Sequence, residues 1–327
     1  MGSPDMSGKG LNHAFRLAFS GERTGVASWI DRPASLGSMR CFPPGVHLYA
    51  SARIKSPHLM MTDVLTWIYE DQPNPFSENE AQMADIIHDM ASALGNEAAF
   101  AVQNPLIPVP NIQLAVEILD PIKFTDSVLA FVDLHNAVAS QKDEIVMQAR
   151  EYRDQMIFNL YRTGAPFTFS YVVLRDYVIF GTSESYLRRA VDGFVENQSL
   201  LDDTVFQSLL QDTGRMNFSF LVYQNITGAM PDFLSRYSSN PLFSRNNPVL
   251  PDADTLKRHS AASISYGICD DPNLDFYING TKGVDFSLGG ILPMITYIIN
   301  QGSSSEQAPA PTPAPNPDGD DSGAVLN

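Results

Sequence analysis

Apolar positions alternate with period two through Phe167–Leu174 and again through Tyr177–Phe180, and then the period changes. From Leu187 onward Ala190, Val191, Phe194 and Val195 fall on one face of a helix. Arg175-Asp176 supplies a tight polar turn between the two alternating runs. Thr182 or Ser183 caps the helix, and Glu184 suits the positive end of its dipole. The pattern predicts a hairpin with the following helix packed on its sheet.

The remaining chain reads in the same terms. Ala14–Ser20 and Thr24–Ile30 flank Gly21-Glu-Arg23, a hairpin signal, and His47–Ile54 alternates as a third strand. Ser56 and Pro57 are the N-cap and first-turn proline of a helix with the stripe Met61, Val64, Leu65 and Ile68. Ser77-Glu-Asn-Glu80 reads as a capping box for a second helix, striped by Met83, Ile86, Ile87, Met90 and Leu94 and ended by Gly95. Glu97–Val102 and Ile112–Leu119 are strands around the proline-rich Pro105–Pro110. Phe124, Val128, Phe131 and Val132 mark a helix, and the charged Lys142–Arg153 reads as its exposed continuation. A short helix through Phe206, Leu209 and Leu210 precedes a strand over Met216–Gln224. Ala261–Cys269 and Leu274–Asn279 make a last hairpin around Asp270-Asp271.

Strands joined by short turns, without steady strand–helix alternation, predict an α+β fold with largely antiparallel sheet and packed amphipathic helices. The strand–helix runs on either side of Gln141 allow two similar lobes. The expected organisation is a disordered start over 1–12, a first α+β lobe over 13–140, a second over 141–300, and a disordered Pro/Ala-rich acidic tail over 301–327.

Charge narrows the partners. The chain has 21 basic against 37 acidic residues, a net charge of −16, which argues against nucleic acid and against anionic membrane surfaces. Met1–Arg16 lacks the apolar core of a signal peptide, so none is expected. Phe286–Ile299 is uncharged, but it is shorter than the roughly 20 residues of a span and contains Gly289, Gly290 and Pro293. It reads as a buried helix, leaving no transmembrane segment. Cys41 and Cys269 lack the spacing of a zinc site and are either two buried thiols or a disulfide.

A search for reactive groups yields no nucleophile elbow, phosphate loop, dinucleotide-binding glycines or His-Glu-x-x-His helix. The six histidines are scattered, with no pair at ligand spacing, and His135 reads as a core or edge residue. Glu117 sits inside an apolar strand, where burial would raise its pKa, yet its face, shared with Gln113 and Ala115, reads as the wet one. Asn316–Gly323 lacks the ligand spacing of a calcium loop, and the sequons at Asn197, Asn217, Asn225 and Asn279 are weak signals. No catalytic, cofactor-binding or metal residue is expected, no cofactor, and the balance leans against an enzyme. The longest unpatterned stretch, 231–259, carries Phe233, Arg236, Phe243 and Arg245, residue types that anchor interfaces, and is the candidate contact for a protein partner.

Several short runs carry a family resemblance. They are Gly21-Glu-Arg-Thr-Gly-Val-Ala-Ser-Trp29, Leu36-Gly-Ser38, Ala93-Leu-Gly-Asn-Glu-Ala-Ala-Phe100 and Pro108-Val-Pro110, followed by Glu117-Ile-Leu-Asp120, Tyr177-Val-Ile-Phe-Gly-Thr-Ser183 and Ser199-Leu-Leu201 with Phe206. From about Phe15 to Gly290 the chain resembles the C-terminal half of a bacterial domain-of-unknown-function family, number thirty-three fifty-two. Members are often exported or membrane-anchored, so the resemblance implies an extracytoplasmic protein and transfers no functional residue. The resulting expectation is a noncatalytic binding or assembly protein of bacterial extracytoplasmic type. The rival readings are a periplasmic small-ligand carrier and an enzyme with a dispersed site.

Overall fold

A computed structural model describes residues 13–69, 77–103, 111–140, 143–162, 169–225 and 262–280. Eleven described strands form one antiparallel sheet. In chain order β1 is His13–Leu17, a four-residue helix α1 spans Val26–Trp29, β2 is Leu48–Arg53 and α2 is Pro57–Tyr69. Helix α3 (Glu80–Ser92) leads to β3 (Leu94–Gln103), β4 (Asn111–Ile118) and α4 (Pro121–Val138). Then come β5 (Ile145–Tyr152), β6 (Gln155–Arg162), β7 (Phe169–Leu174), β8 (Tyr177–Gly181), α5 (Glu184–Glu196) and α6 (Thr204–Asp212). The last strands are β9 (Phe220–Gln224), β10 (Ser263–Asp270) and β11 (Asn273–Gly280). Across the sheet the order is β1-β11-β10-β9-β2-β3-β4-β8-β7-β6-β5.

The fold is α+β with an antiparallel sheet. Strands from either side of residue 140 share that sheet. The β7–β8–α5 unit forms as its pattern requires: Ser170–Gly181 and Leu174–Tyr177 end the hairpin register. Leu187, Ala190 and Val191 are buried on it, and Phe194 packs against the same cluster. Ser183 occupies the N-cap position without a side-chain bond to the helix.

Four sequence expectations are corrected. Residues 24–30 are not a strand: α1 turns there after Gly25 at φ 59, and β1 pairs with β11 instead. Arg23 explains the difference, because its buried guanidinium bonds Ala27 O at 2.8 Å and Asp271 at 2.7 Å, fastening this loop to the β10–β11 turn. Phe15 stacks on Phe276 with centroids 4.6 Å apart, and Arg16 donates to Asp275, holding that carboxyl below its ordinary pKa. Secondly, the described part of the charged run, 143–153, does not continue α4. It contains β5, an edge strand whose Arg150 and Glu151 are exposed, and charge on an edge discourages strand addition. Positive φ at Arg153 and Asp154 forms its turn to β6. Thirdly, α3 starts at Glu80 with Asn79 as an N-cap that makes no side-chain bond, and it ends at Ser92. Leu94 and Gly95 belong to β3. Fourthly, Val64 of the α2 stripe is exposed and Met61 and Leu65 are half-buried, so that helix is held at its periphery. There Trp29 meets Trp67 at 5.1 Å and donates to Asp63 at 2.8 Å.

The sheet has two unlike faces. One carries the main core, with Tyr49, Ala99, Ala115, Val172, Ile179 and Leu221 under α5 and α6. The other packs Ile118, Tyr171 and Val178 against Phe124 and Val128 of α4. Among the described residues no helix is long and apolar enough to cross a membrane. The calls on 231–259, 286–299 and 301–327, including Phe233, Arg236, Phe243 and Arg245, lie outside the described residues.

Candidate functional site

The densest polar construction lies on the main-core face where β2, β3, β4 and β8 adjoin. Alternation places Tyr49, Ser51 and Arg53 of β2 beside Ala101, Ala99 and Glu97 of β3. The register of β3 on β4 shifts between Leu94 and Ala98, while β3 keeps its in–out alternation across the shift. Glu97 points inward with Ala99 and Ala101 and is 1% exposed. A single helical turn of the 3-10 type, Gly37–Arg40, lies over it.

Four donors converge on Glu97. One carboxylate oxygen accepts from Ser38 N at 2.9 Å and Ser51 Oγ at 3.2 Å. The other accepts from Gly37 N at 2.9 Å and Tyr177 Oη at 2.8 Å. Ser38 Oγ shares a further 2.7 Å bond with Tyr49 Oη. Gly37 is required here: a Cβ on it would stand 2.6 Å from Tyr177 Oη. Burial, and then the charge of Glu97, push the Tyr177 phenol well above its ordinary range. Burial likewise raises Tyr49 and Cys41, the latter with Glu97 adding to it. These hydroxyls and this thiol are therefore held protonated, which suits hydrogen bonding and not nucleophilic attack. Both cysteines are free thiols.

Glu117 lies one strand away and is corrected in one respect. Its face is the covered one, since Gln113 and Ala115 are both fully buried. Glu117 is half-buried, accepts from Asn96 N at 2.8 Å and pairs with Arg53 at 3.6 Å. Gly95 makes room for it, because a Cβ there would meet the Glu117 side chain at 2.5 Å. His135 is half-buried, stacked on Phe131 and bonded through Nε2 to Asp143 O at 3.0 Å. Sequence reading missed Glu97, whose only sign was an acid in an alanine-rich strand two residues after a glycine.

Two surface features lie apart from the Glu97 cluster. A cleft of about 510 Å³ between α3 and α4 is lined by Ile86, Asp89, Asp120, Ile122, Lys123 and Asp126. Its lysine is engaged, 2.9 Å from Asp89. On the sheet face opposite the Glu97 cluster runs an apolar band: Phe15, Phe276, Phe220, Phe100, Leu114, Phe180 and Phe169 share that face through the strand registers. Phe15 is 49% exposed, Phe169 48% and Leu114 39%. Phe276 bridges Phe15 and Phe220, with ring centroids 4.6 and 5.2 Å away. Among the described residues no group of three or more His, Cys, Asp or Glu is placed to hold a metal ion.

The sequence model of the family described as "Protein of unknown function (DUF3352)" matches residues 81–266, more than half of the chain. No curated protein and no solved structure matches. The chain belongs to that family of unknown function.

Proposed function

From membership in a family without an assigned reaction, we propose that this chain is a noncatalytic binding or assembly protein of the bacterial extracytoplasmic space. The observation that carries the reading is the apolar band on the sheet. Soluble proteins rarely leave a row of aromatic side chains half-exposed unless another surface meets it. Phe15, Leu114 and Phe169 contribute the exposed part of that row. The Glu97 cluster supports the same reading from the other side, because each of its oxygens is already occupied by donors of the chain itself. The acidic balance makes a protein the expected partner in preference to nucleic acid.

The enzyme reading draws on the Arg53–Glu117 pair, but the described cleft lies elsewhere, between α3 and α4. The carrier reading asks for a deep apolar pocket, and that cleft is open and rimmed by aspartates.

A pull-down with the native-length protein tests the proposal. Phe15→Ser with Phe169→Ser is expected to abolish capture while the melting curve stays close to wild type, since both rings are about half exposed. Phe233→Ser with Phe243→Ser tests the segment 231–259 in the same assay. Full capture by both double variants would remove both surfaces as the contact. Turnover of a small substrate by a protein that captures nothing would overturn the reading.

A further inference from the structure

His58 and His88 are 30 positions apart in sequence and adjacent in space. His58 opens α2 and His88 lies near the end of α3. Their ring centroids are 5.5 Å apart and their planes meet at 72°. Both side chains are exposed. Sequence spacing does not mark this pair, which the packing of α2 on α3 creates.

The spacing has a chemical meaning. A divalent metal bound to an imidazole nitrogen at about 2.0–2.1 Å lies roughly 3.2 Å from the ring centre. Two imidazoles on one tetrahedral centre then have centroids about 5 Å apart. The observed separation is within half an ångström of that value. Two ligands on separate helices also differ from a chance exposed histidine, because the packing of α2 on α3 sets the two rings beside each other at the surface. Imidazole is a preferred donor for zinc, nickel and copper, and solvent can supply the remaining positions of an open site.

We propose that His58 and His88 form a two-imidazole site for a divalent cation of the zinc, nickel or copper class, one that clamps α2 to α3. Binding releases any proton from the liganding nitrogens to solvent and involves no other covalent change.

The test uses the full chain without a histidine tag, titrated with zinc chloride or nickel chloride in a calorimeter. One equivalent should bind saturably and raise the melting temperature. His58→Ala and His88→Ala should each weaken binding by at least about tenfold, since each removes half of the protein's donor set. The double variant should lose both the heat and the thermal shift. Because the side chains are exposed, the metal-free melting curves should match wild type, and His88→Gln replaces alanine if they do not. Absence of saturable binding by the wild-type chain overturns the proposal. So does a double variant that binds like wild type, because the metal would then sit elsewhere.

Discussion

Glu97→Ala is expected to lower stability by about 4–5 kcal/mol, close to the whole reserve of a less stable domain. The side chain is 1% exposed and accepts from two backbone amides, a serine and a tyrosine. Each bond to a charged acceptor contributes roughly 1.5–3 kcal/mol, and each donor left buried without a partner costs about 1–3 kcal/mol. These terms overlap and do not add, which keeps the expected loss below their sum. Glu97→Gln separates charge from shape. The Tyr177 hydroxyl can turn to accept from the new amide, but the Gly37 and Ser38 N–H groups are fixed donors. One amide NH₂ must therefore face a donor on one side, and a loss of about 2–4 kcal/mol is expected. Glu117→Gln should cost about 1 kcal/mol or less, because that residue is half-buried and its arginine stands at 3.6 Å. Urea unfolding of the three variants checks the order. A Glu97→Gln protein within 1 kcal/mol of wild type would mean that the carboxylate does not fasten the 37–40 turn to the sheet.

That cluster also shows where sequence reading stops. The partners of Glu97 lie 46 to 80 residues away along the chain, and two of them are backbone amides with no side-chain signature. Period two places Glu97 on the inward face with Ala99 and Ala101, but nothing local says which distant donors will hold an acid there. The same holds for His58 and His88, which are unremarkable apart and meet only through helix packing. By contrast β7, β8 and α5 were legible because each makes its pattern from neighbours: period two twice, then 3.6. β5 was misread because an outer strand has only one flank paired. Arg150 and Glu151 interrupt the alternation that a central strand would keep. β1 was paired with the wrong segment because its register, His13 to Ile278, closes across most of the chain, and a turn of Gly-Glu-Arg looked sufficient locally.

Leu187→Asp is expected to leave no folded protein at room temperature. Leu187 is fully buried on α5 over the β7–β8 hairpin, in the main core with Val172 and Ile179. Losing its side chain alone should cost about 2–5 kcal/mol, the range for leucine to alanine in a core. A carboxylate in its place adds an unpaired buried charge, worth several kcal/mol more even after relaxation. The hairpin offers no relief: a Cβ at Gly181 would stand 3.2 Å from the Leu187 side chain, so the strand lies close against it. The sum meets the roughly 5–15 kcal/mol that holds a typical domain together. Two controls isolate the cause. Leu187→Ala should fold with a clearly lowered melting temperature. Val195→Asp, on the same helix at a residue 46% exposed, should stay within about 0.5 kcal/mol of wild type. Circular dichroism melts of the three proteins decide the matter. A Leu187→Asp protein that melts like wild type would show that α5 does not dock on the sheet, and the main core would have to be drawn without it.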